Sequence, residues 1–216
     1  MSTFDLIAQD IEEYCEAHTT PEDALLYRLN RQTYLQTINP RMCSGHLQGQ
    51  FLTLLSKMMR PKYVLEIGTF TGYSAICLAS GLADGGELHT IESNPEYEDR
   101  IREYLAQSPV GDRIVLHIGD AKEVVPTLEP VWDLVFIDAE KEDYRFYYDE
   151  VLPRVRQGGF ILVDNVLWNG KVTQEVLRHD RDTQAIMEFN NYVQQDDRVR
   201  NMLLPFRDGI MMIEKR

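Results

Sequence analysis

Apolar positions recur with two different periods along this chain, and the change of period marks its elements. Near the start, Leu6, Ile7, Ile11 and Tyr14 fall at helical spacing. Thr20-Pro21-Glu22-Asp23 reads as an N-cap, a proline at the first helical position and acids in the first turn. A third helix is predicted from Leu47 to Met59. Strands and helices then take turns. Strands are predicted over 62–67, 87–92, 113–118 and 133–138, and over 160–164 after Gly158-Gly159. Helices are predicted over 73–80, over 95–105 with Pro95 at the start, and over 144–154 and 183–194. Residues 198–214 hold two β-like runs on either side of the turn Arg207-Asp208-Gly209.

Repeated strand–helix units need a mostly parallel sheet, because each crossover lays a helix on one of its faces. The terminal hairpin makes one strand antiparallel. The expectation is an α/β protein with a mostly parallel seven-stranded sheet, one antiparallel strand, helices on both faces and extra N-terminal helices. Residues 1–216 are expected to form a single domain, with 1–59 a helical cap and 60–216 a cofactor-binding core. No internal repeat, low-complexity segment or linker interrupts the pattern.

Composition narrows the class. The 216 residues, 44% hydrophobic and 26% charged, suit one globular domain. Apolar stretches such as those around Tyr63 to Ile67 and Phe160 to Val163 are far too short to span a bilayer. Residues 1–10 lack the charged-then-apolar pattern of a signal peptide, so none is expected. Cys15, Cys43 and Cys77 are an odd, scattered set that fits a reducing cytoplasm. The net charge of −13 repels phosphate backbones and argues against a broad duplex-binding face. It leaves room for a local pocket that admits one looped nucleotide. Arg41 and the Arg178–Arg181 region could line one; scattered surface arginines are the simpler reading.

The first chemical signal is Val64-Leu65-Glu66-Ile67-Gly68-Thr69-Phe70-Thr71-Gly72-Tyr73-Ser74. A buried strand ends in a glycine turn that opens a helix, where backbone can approach a ligand and free N–H groups are on offer. Glu92 ends the next strand, where a carboxylate can accept ribose hydroxyls. The turn is not GxGxxG and exposes too little backbone for a pyrophosphate. A nucleoside without phosphates fits better, and S-adenosylmethionine is one. Gly119-Asp120-Ala121 follows the third strand and suits contact with adenine, while Asp120 could equally cap a helix.

The second signal is a pair of strands ending in acids, Leu134-Val135-Phe136-Ile137-Asp138 and Phe160-Ile161-Leu162-Val163-Asp164-Asn165. Ligands of open α/β sheets bind outside the carboxyl ends of the strands. Two carboxylates brought together there repel unless a cation lies between them. With the amide oxygen of Asn165 they make an all-oxygen set that suits Mg²⁺, with Ca²⁺ or Mn²⁺ as alternatives, and not zinc; His117 and His179 read as isolated. The plain alternative is two solvated strand ends.

Phe136-Ile137-Asp138-Ala139-Glu140-Lys141-Glu142-Asp143-Tyr144 and the run from Gly158-Gly159 through Asp164-Asn165-Val166-Leu167-Trp168-Asn169-Gly170-Lys171-Val172 resemble the signature of the caffeoyl-CoA O-methyltransferase family, which is related to catechol O-methyltransferase. The resemblance runs from about Met42 to the Asp208-Gly209 turn. It implies a Rossmann-like class I methyltransferase fold and a bacterial-type member of the family. It implies that Glu66, Gly68 and Ser74 line the methionine part of S-adenosylmethionine, that Glu92 holds the ribose and that Ala121 lies by the adenine. Met42 and Ser44 fall where relatives contact the cofactor. Asp138 would serve both cofactor and metal, Asp164 and Asn165 would complete the metal ligands, and Lys141 matches the catalytic lysine. Asp138 and Lys141 are thus the catalytic candidates, with Lys141 taking the acceptor's proton. A surface lysine paired with Glu140 or Asp143 is the alternative. Trp168 is a candidate wall of the acceptor pocket, or else a core tryptophan. Leu47-Gln48 stands before Gly49-Gln50 where relatives often carry an acidic pair, so the acceptor stays open.

The expected reaction is methyl transfer to a hydroxyl of a metal-chelated, catechol-like small molecule, by a cytoplasmic homodimer without membrane partners. A 5-hydroxyuridine in tRNA, which some bacterial relatives methylate, is the alternative acceptor. A dinucleotide-dependent oxidoreductase lacks its GxGxxG here. A non-catalytic binding module would have no need of intact Asp138, Lys141, Asp164 and Asn165.

Overall fold

A computed structural model describes residues 7–216. Leu6, the first position of the N-terminal helical pattern, lies outside them. Residues 13–128 form one compact unit and residues 129–216, with 7–12, another. Helix α1 (Gln9–Ala17) buries none of its residues. Ile11 and Tyr14 lie exposed on it, and the ring of Tyr14 stacks on His18 at 3.9 Å.

In the unit 13–128, α2 (Ala24–Gln36) starts three residues later than the sequence pattern predicts. Asp23, not Thr20, is its cap: the carboxylate accepts from the amides of Leu25 at 2.8 Å and Leu26 at 2.9 Å. Glu22, expected in the first helical turn, instead accepts the hydroxyl of Tyr73. Two amides satisfied by one carboxylate outweigh a proline's preset φ. Helix α3 (Gly45–Met59) leads to β1 (Tyr63–Ile67). Then come α4 (Tyr73–Ala79), buried throughout, β2 (Glu87–Glu92), α5 (Glu98–Gln107), β3 (Ile114–Ile118) and the short α6 (Ala121–Val124). β1 pairs with β2 and β2 with β3, both parallel, with Ile67 opposite Ile91 and Glu92 opposite Ile118.

In the second unit, β4 (Trp132–Ile137) pairs in parallel with β5 (Val155–Asp164), which takes in Gly158-Gly159 and so begins before the predicted strand. Between them runs α7 (Tyr144–Val151), and after them α8 (Arg181–Gln194). Phe189 of α8 meets the edges of Tyr144 and Tyr148 at 5.7 Å and 6.0 Å. β6 (Val199–Leu204) and β7 (Ile210–Lys215) form the terminal hairpin, and β7 runs antiparallel to both β6 and β5. The strand order is β3-β2-β1-β4-β5-β7-β6 in one seven-stranded sheet. That is the expected mixed α/β architecture, with β7 its antiparallel strand. Central strands such as Leu134 to Ile137 are wholly buried, which is why they read as unbroken apolar runs.

Candidate functional site

The residues expected at the cofactor, Asp138 apart, lie in the unit 13–128, most of them at the carboxyl ends of β1, β2 and β3. After β1, Gly68 turns the chain at a φ of +101° that a side chain would strain. The amides of Gly68 and Thr69 both donate to the carbonyl of Ile91, at 3.0 Å and 3.1 Å, which ties the turn to β2. Glu92, 7% exposed, grips the same turn. Its Oε2 accepts from the amide of Phe70 at 2.7 Å and its Oε1 from that of Asn94 at 2.8 Å. Burial pushes the Glu92 carboxyl above its ordinary value, and the amides of Asn94, Phe70 and Ser93 pull it partly back. A carboxylate has about four lone-pair sites; three amide donors leave room for a hydroxyl.

Glu66 is fully buried, and its Oε2 accepts the hydroxyl of Thr90 at 2.5 Å. Thr90 has one proton to give, so the hydroxyl of Thr69, 2.5 Å away, donates to it in turn. Ser44, Ser74 and Ala121 are buried, whereas Met42 is largely exposed. Asp120 caps α6, its Oδ1 accepting from the amide of Lys122 at 2.8 Å. That is the helix-cap reading which the sequence left open beside adenine contact. His117, which the sequence presents as isolated, meets the ring of His89 with Nε2 3.1 Å from its partner's Nδ1.

The metal-side residues lie in the unit 129–216, at the carboxyl ends of β4 and β5. Lys141 Nζ donates to Asn165 Oδ1 at 2.7 Å, to the carbonyl of Ala139 at 3.0 Å and to Asp138 Oδ1 at 3.3 Å. Its side chain is 11% exposed, so it is not the surface lysine paired with Glu140 or Asp143. The rings of Tyr144 and Trp168 flank the ammonium at 5.0 Å and 5.6 Å. Asp164, 4% exposed, accepts the amide of Asn165 on Oδ1 at 2.8 Å, and its carbonyl accepts the hydroxyl of Tyr144 at 2.8 Å. Burial, with Asp138 and Asp164 close by, holds the Tyr144 phenol well above its ordinary value. Trp168 is half-buried at a φ of +48°, with Nε1 buried and without a hydrogen-bond partner. The core tryptophan is Trp132.

These residues fit a divalent cation. Oxygens of Asp138 and Asn165 already converge on one positive charge, and the donor set is oxygen throughout. Among the described residues no three His, Cys, Asp or Glu side chains group as metal ligands; the expected set has only two carboxylates, completed by an amide. Sequence reasoning missed Tyr144, whose hydroxyl supports the Asp164 backbone, and the side chain of Asp208, which accepts from the amide of Asn169. Tyr144 stands at the end of the quoted motif and Asp208 in a recognised turn. Neither position announces a hydrogen bond to a distant loop.

Strand order, glycine turn and strand-end acids together define an α/β protein built to hold a nucleoside cofactor, with the Rossmann-like architecture of methyltransferases. The O-methyltransferase family model matches residues 16–216. A probable caffeoyl-CoA O-methyltransferase of Dictyostelium discoideum is 34% identical over 173 residues, which cover 78% of this chain and 75% of the relative. The SAH-bound structure of a Podospora anserina methyltransferase superposes with a TM-score of 0.87 at 30% identity, over 96% of this chain and 94% of that one. The O-methyltransferase TomG of Streptomyces achromogenes, solved with SAM, gives 0.87 at 29% identity over 95% and 96%. The chain belongs to the O-methyltransferase family and is an S-adenosylmethionine-dependent O-methyltransferase. No helix among the described residues is long and apolar enough to cross a membrane.

Proposed function

We propose that this enzyme methylates one hydroxyl of a catechol-like small molecule held by a divalent cation, Mg²⁺ in the first instance. The observation that carries the reading is the convergence of Asp138 Oδ1 and Asn165 Oδ1 on the ammonium of Lys141, beside the buried Asp164. Asp138, Asp164 and Asn165 would hold the ion, with Asp138 also touching the cofactor. Glu66, Gly68, Ser74, Glu92, Asp120 and Ala121, with Met42 and Ser44, would hold S-adenosylmethionine. When bound, a divalent ion lowers the pKa of a hydroxyl it coordinates. When bound, S-adenosylmethionine supplies an electrophilic methyl group on sulfur.

Within that frame the chain's own residues do the following. Lys141 Nζ, in its neutral amine form, takes the proton from the acceptor hydroxyl and becomes the ammonium. Trp168 lays a flat wall beside the acceptor ring. Glu92 orients the ribose through its carboxylate. The acceptor O–H bond breaks, an O–CH₃ bond forms, and sulfur keeps the electron pair of the broken S–CH₃ bond. Relatives named for caffeoyl-CoA support an aromatic hydroxyl as acceptor. A single catalytic domain, a cytoplasmic setting and a homodimer belong to the same proposal. Exposed apolar side chains on and after α2 and α3, including Leu35, Ile38, Leu54 and Met58, support the dimer.

The test is methyl transfer to a panel of small catechols with Mg²⁺ and with EDTA. Turnover that needs the metal supports the proposal. No turnover on any catechol, with cofactor binding intact, overturns the catechol acceptor and moves the choice to a 5-hydroxyuridine in tRNA.

A further inference from the structure

We infer that Asp208 is a positioning residue that clamps the loop carrying Asn165 and Trp168. The inference rests on the reading of Asn165 as a metal ligand and of Trp168 as a wall of the acceptor pocket.

The loop after β5 is strained. Asn165, Trp168 and Asn169 all sit in the left-handed region, at φ of +58°, +48° and +52°, and Gly170 follows at +73°. Asparagine tolerates such angles best among non-glycine residues, but a tryptophan keeps them only where its surroundings over-determine them. Here the surroundings are the turn between β6 and β7. The amide of Val166 donates to the carbonyl of Gly209 at 3.2 Å, and that of Leu167 to the carbonyl of Asp208 at 2.9 Å. The amide of Asn169 donates to Asp208 Oδ1. Asp208 thus holds the loop twice, once through its backbone and once through its side chain. The turn lies tight against the loop: a Cβ on Gly209 would come within 2.8 Å of Leu167 N.

The Asp208 carboxylate is not needed to close its own hairpin. The amide of Gly209 reaches the carbonyl of Phe206 at 2.9 Å, and that of Phe206 reaches Leu204 at 2.9 Å, without it. The Asp208 carboxylate instead accepts from the amide of Asn169 in the strained loop. Removing the carboxylate frees the Asn169 amide, and Trp168 and Asn165 on its N-terminal side lose the restraint that holds them left-handed. Glu66, Gly68, Ser74, Glu92, Asp120 and Ala121 belong to the other compact unit.

The test compares Asp208→Ala with Asp208→Asn, whose amide oxygen can still accept from Asn169. In D208A, Mn²⁺ affinity followed by EPR is expected to fall several-fold and the KM for a catechol to rise about tenfold. Affinity for S-adenosylmethionine is expected to stay at the wild-type level. D208N is expected to restore most of both losses. In a Trp132→Phe background the fluorescence of Trp168 reports the loop directly: acrylamide quenching should rise in D208A and return in D208N. Unchanged quenching, Mn²⁺ affinity and acceptor KM in D208A overturn the clamp. A wild-type enzyme that neither binds Mn²⁺ nor turns over any catechol overturns the metal reading instead, and the quenching comparison still decides the clamp. Should D208A fail to fold, Asp208→Ser, too short to reach the Asn169 amide, is read in the same way.

Discussion

Replacing Lys141 with methionine should move two quantities in opposite directions. Its ammonium lies 3.3 Å from Asp138 Oδ1 and 2.7 Å from Asn165 Oδ1, and so takes lone pairs that a divalent ion would need. The two charged side chains are 11% and 22% exposed. At an effective dielectric of about 20 the gross attraction at this separation is about 5 kcal/mol. Desolvation and partial exposure cancel most of it, leaving a net coupling of about 1–2 kcal/mol. Methionine fills similar space without the charge, so Mn²⁺ binding should tighten about 5- to 30-fold in K141M, the same coupling expressed as affinity. Turnover should meanwhile fall about 10²- to 10⁴-fold, the usual contribution of a positioned base. Titration calorimetry with Mn²⁺ and single-turnover methyl transfer measure the two effects on the same protein. Weaker or unchanged Mn²⁺ affinity refutes the competition argument. Wild-type turnover refutes the base role whatever the affinity does.

Two further outcomes rest on single residues. Burial raises the Glu92 carboxyl above its ordinary 4.5, so the folded protein binds this proton more readily than the unfolded chain. Its contribution to stability is therefore complete below that value and is lost as pH rises through the folded one. The stability of wild type relative to Glu92→Gln should shrink across that window, while affinity for S-adenosylmethionine, which needs the charged acceptor, rises. Melting curves of both proteins that differ by a constant amount from pH 4 to 7 would sink this. For Gly209→Ala, the new Cβ would lie 2.5 Å from Leu167 Cγ and 2.8 Å from Leu167 N, at a φ of +89°. Left-handed strain and overpacking together cost about 2–5 kcal/mol. In a chain of this size that lowers Tm by at least about 4 °C, and an unchanged Tm would contradict the packing described.

The legible part of this fold is the part where burial sets the pattern. Val64 to Ile67 and Leu134 to Ile137 are covered on both sides, so their identity as strands shows in composition alone. The start of α2 was not legible, because Thr20, Glu22 and Asp23 are all plausible near a helix start. The choice fell to long-range partners, Tyr73 taking Glu22 and leaving the cap to Asp23. The loop from Asn165 to Gly170 was opaque for a different reason. Trp168 ordinarily prefers other backbone angles, and the loop that carries it is held from the β6–β7 turn some forty residues away. The strand-end acids themselves were readable from topology. What holds each of them was not, since a carboxylate's partner is a three-dimensional fact.

Those partners separate the acids by what each can do. A carboxylate withdrawn from water must be met by donors. Glu92 is met by backbone amides of the very turns it organises, and Glu66 by a hydroxyl fixed within β2. Neither partner can leave without unfolding a turn or a strand, so these acids offer a ligand one fixed geometry. That suits a cofactor gripped the same way in every cycle. Asp138 is met by the tip of Lys141, a side chain with four rotatable bonds whose ammonium also occupies the oxygen of Asn165. Swinging that one side chain frees two oxygens, and the nitrogen becomes a base only once its ammonium has given up a proton. Exchange of partners therefore costs least at Asp138 and Asn165, where ion and acceptor would come and go, and most at Glu66 and Glu92, where the cofactor would be held. Disabling the swing, by replacing Lys141, should accordingly disturb ion and acceptor and leave the cofactor's grip at Glu92 as it was.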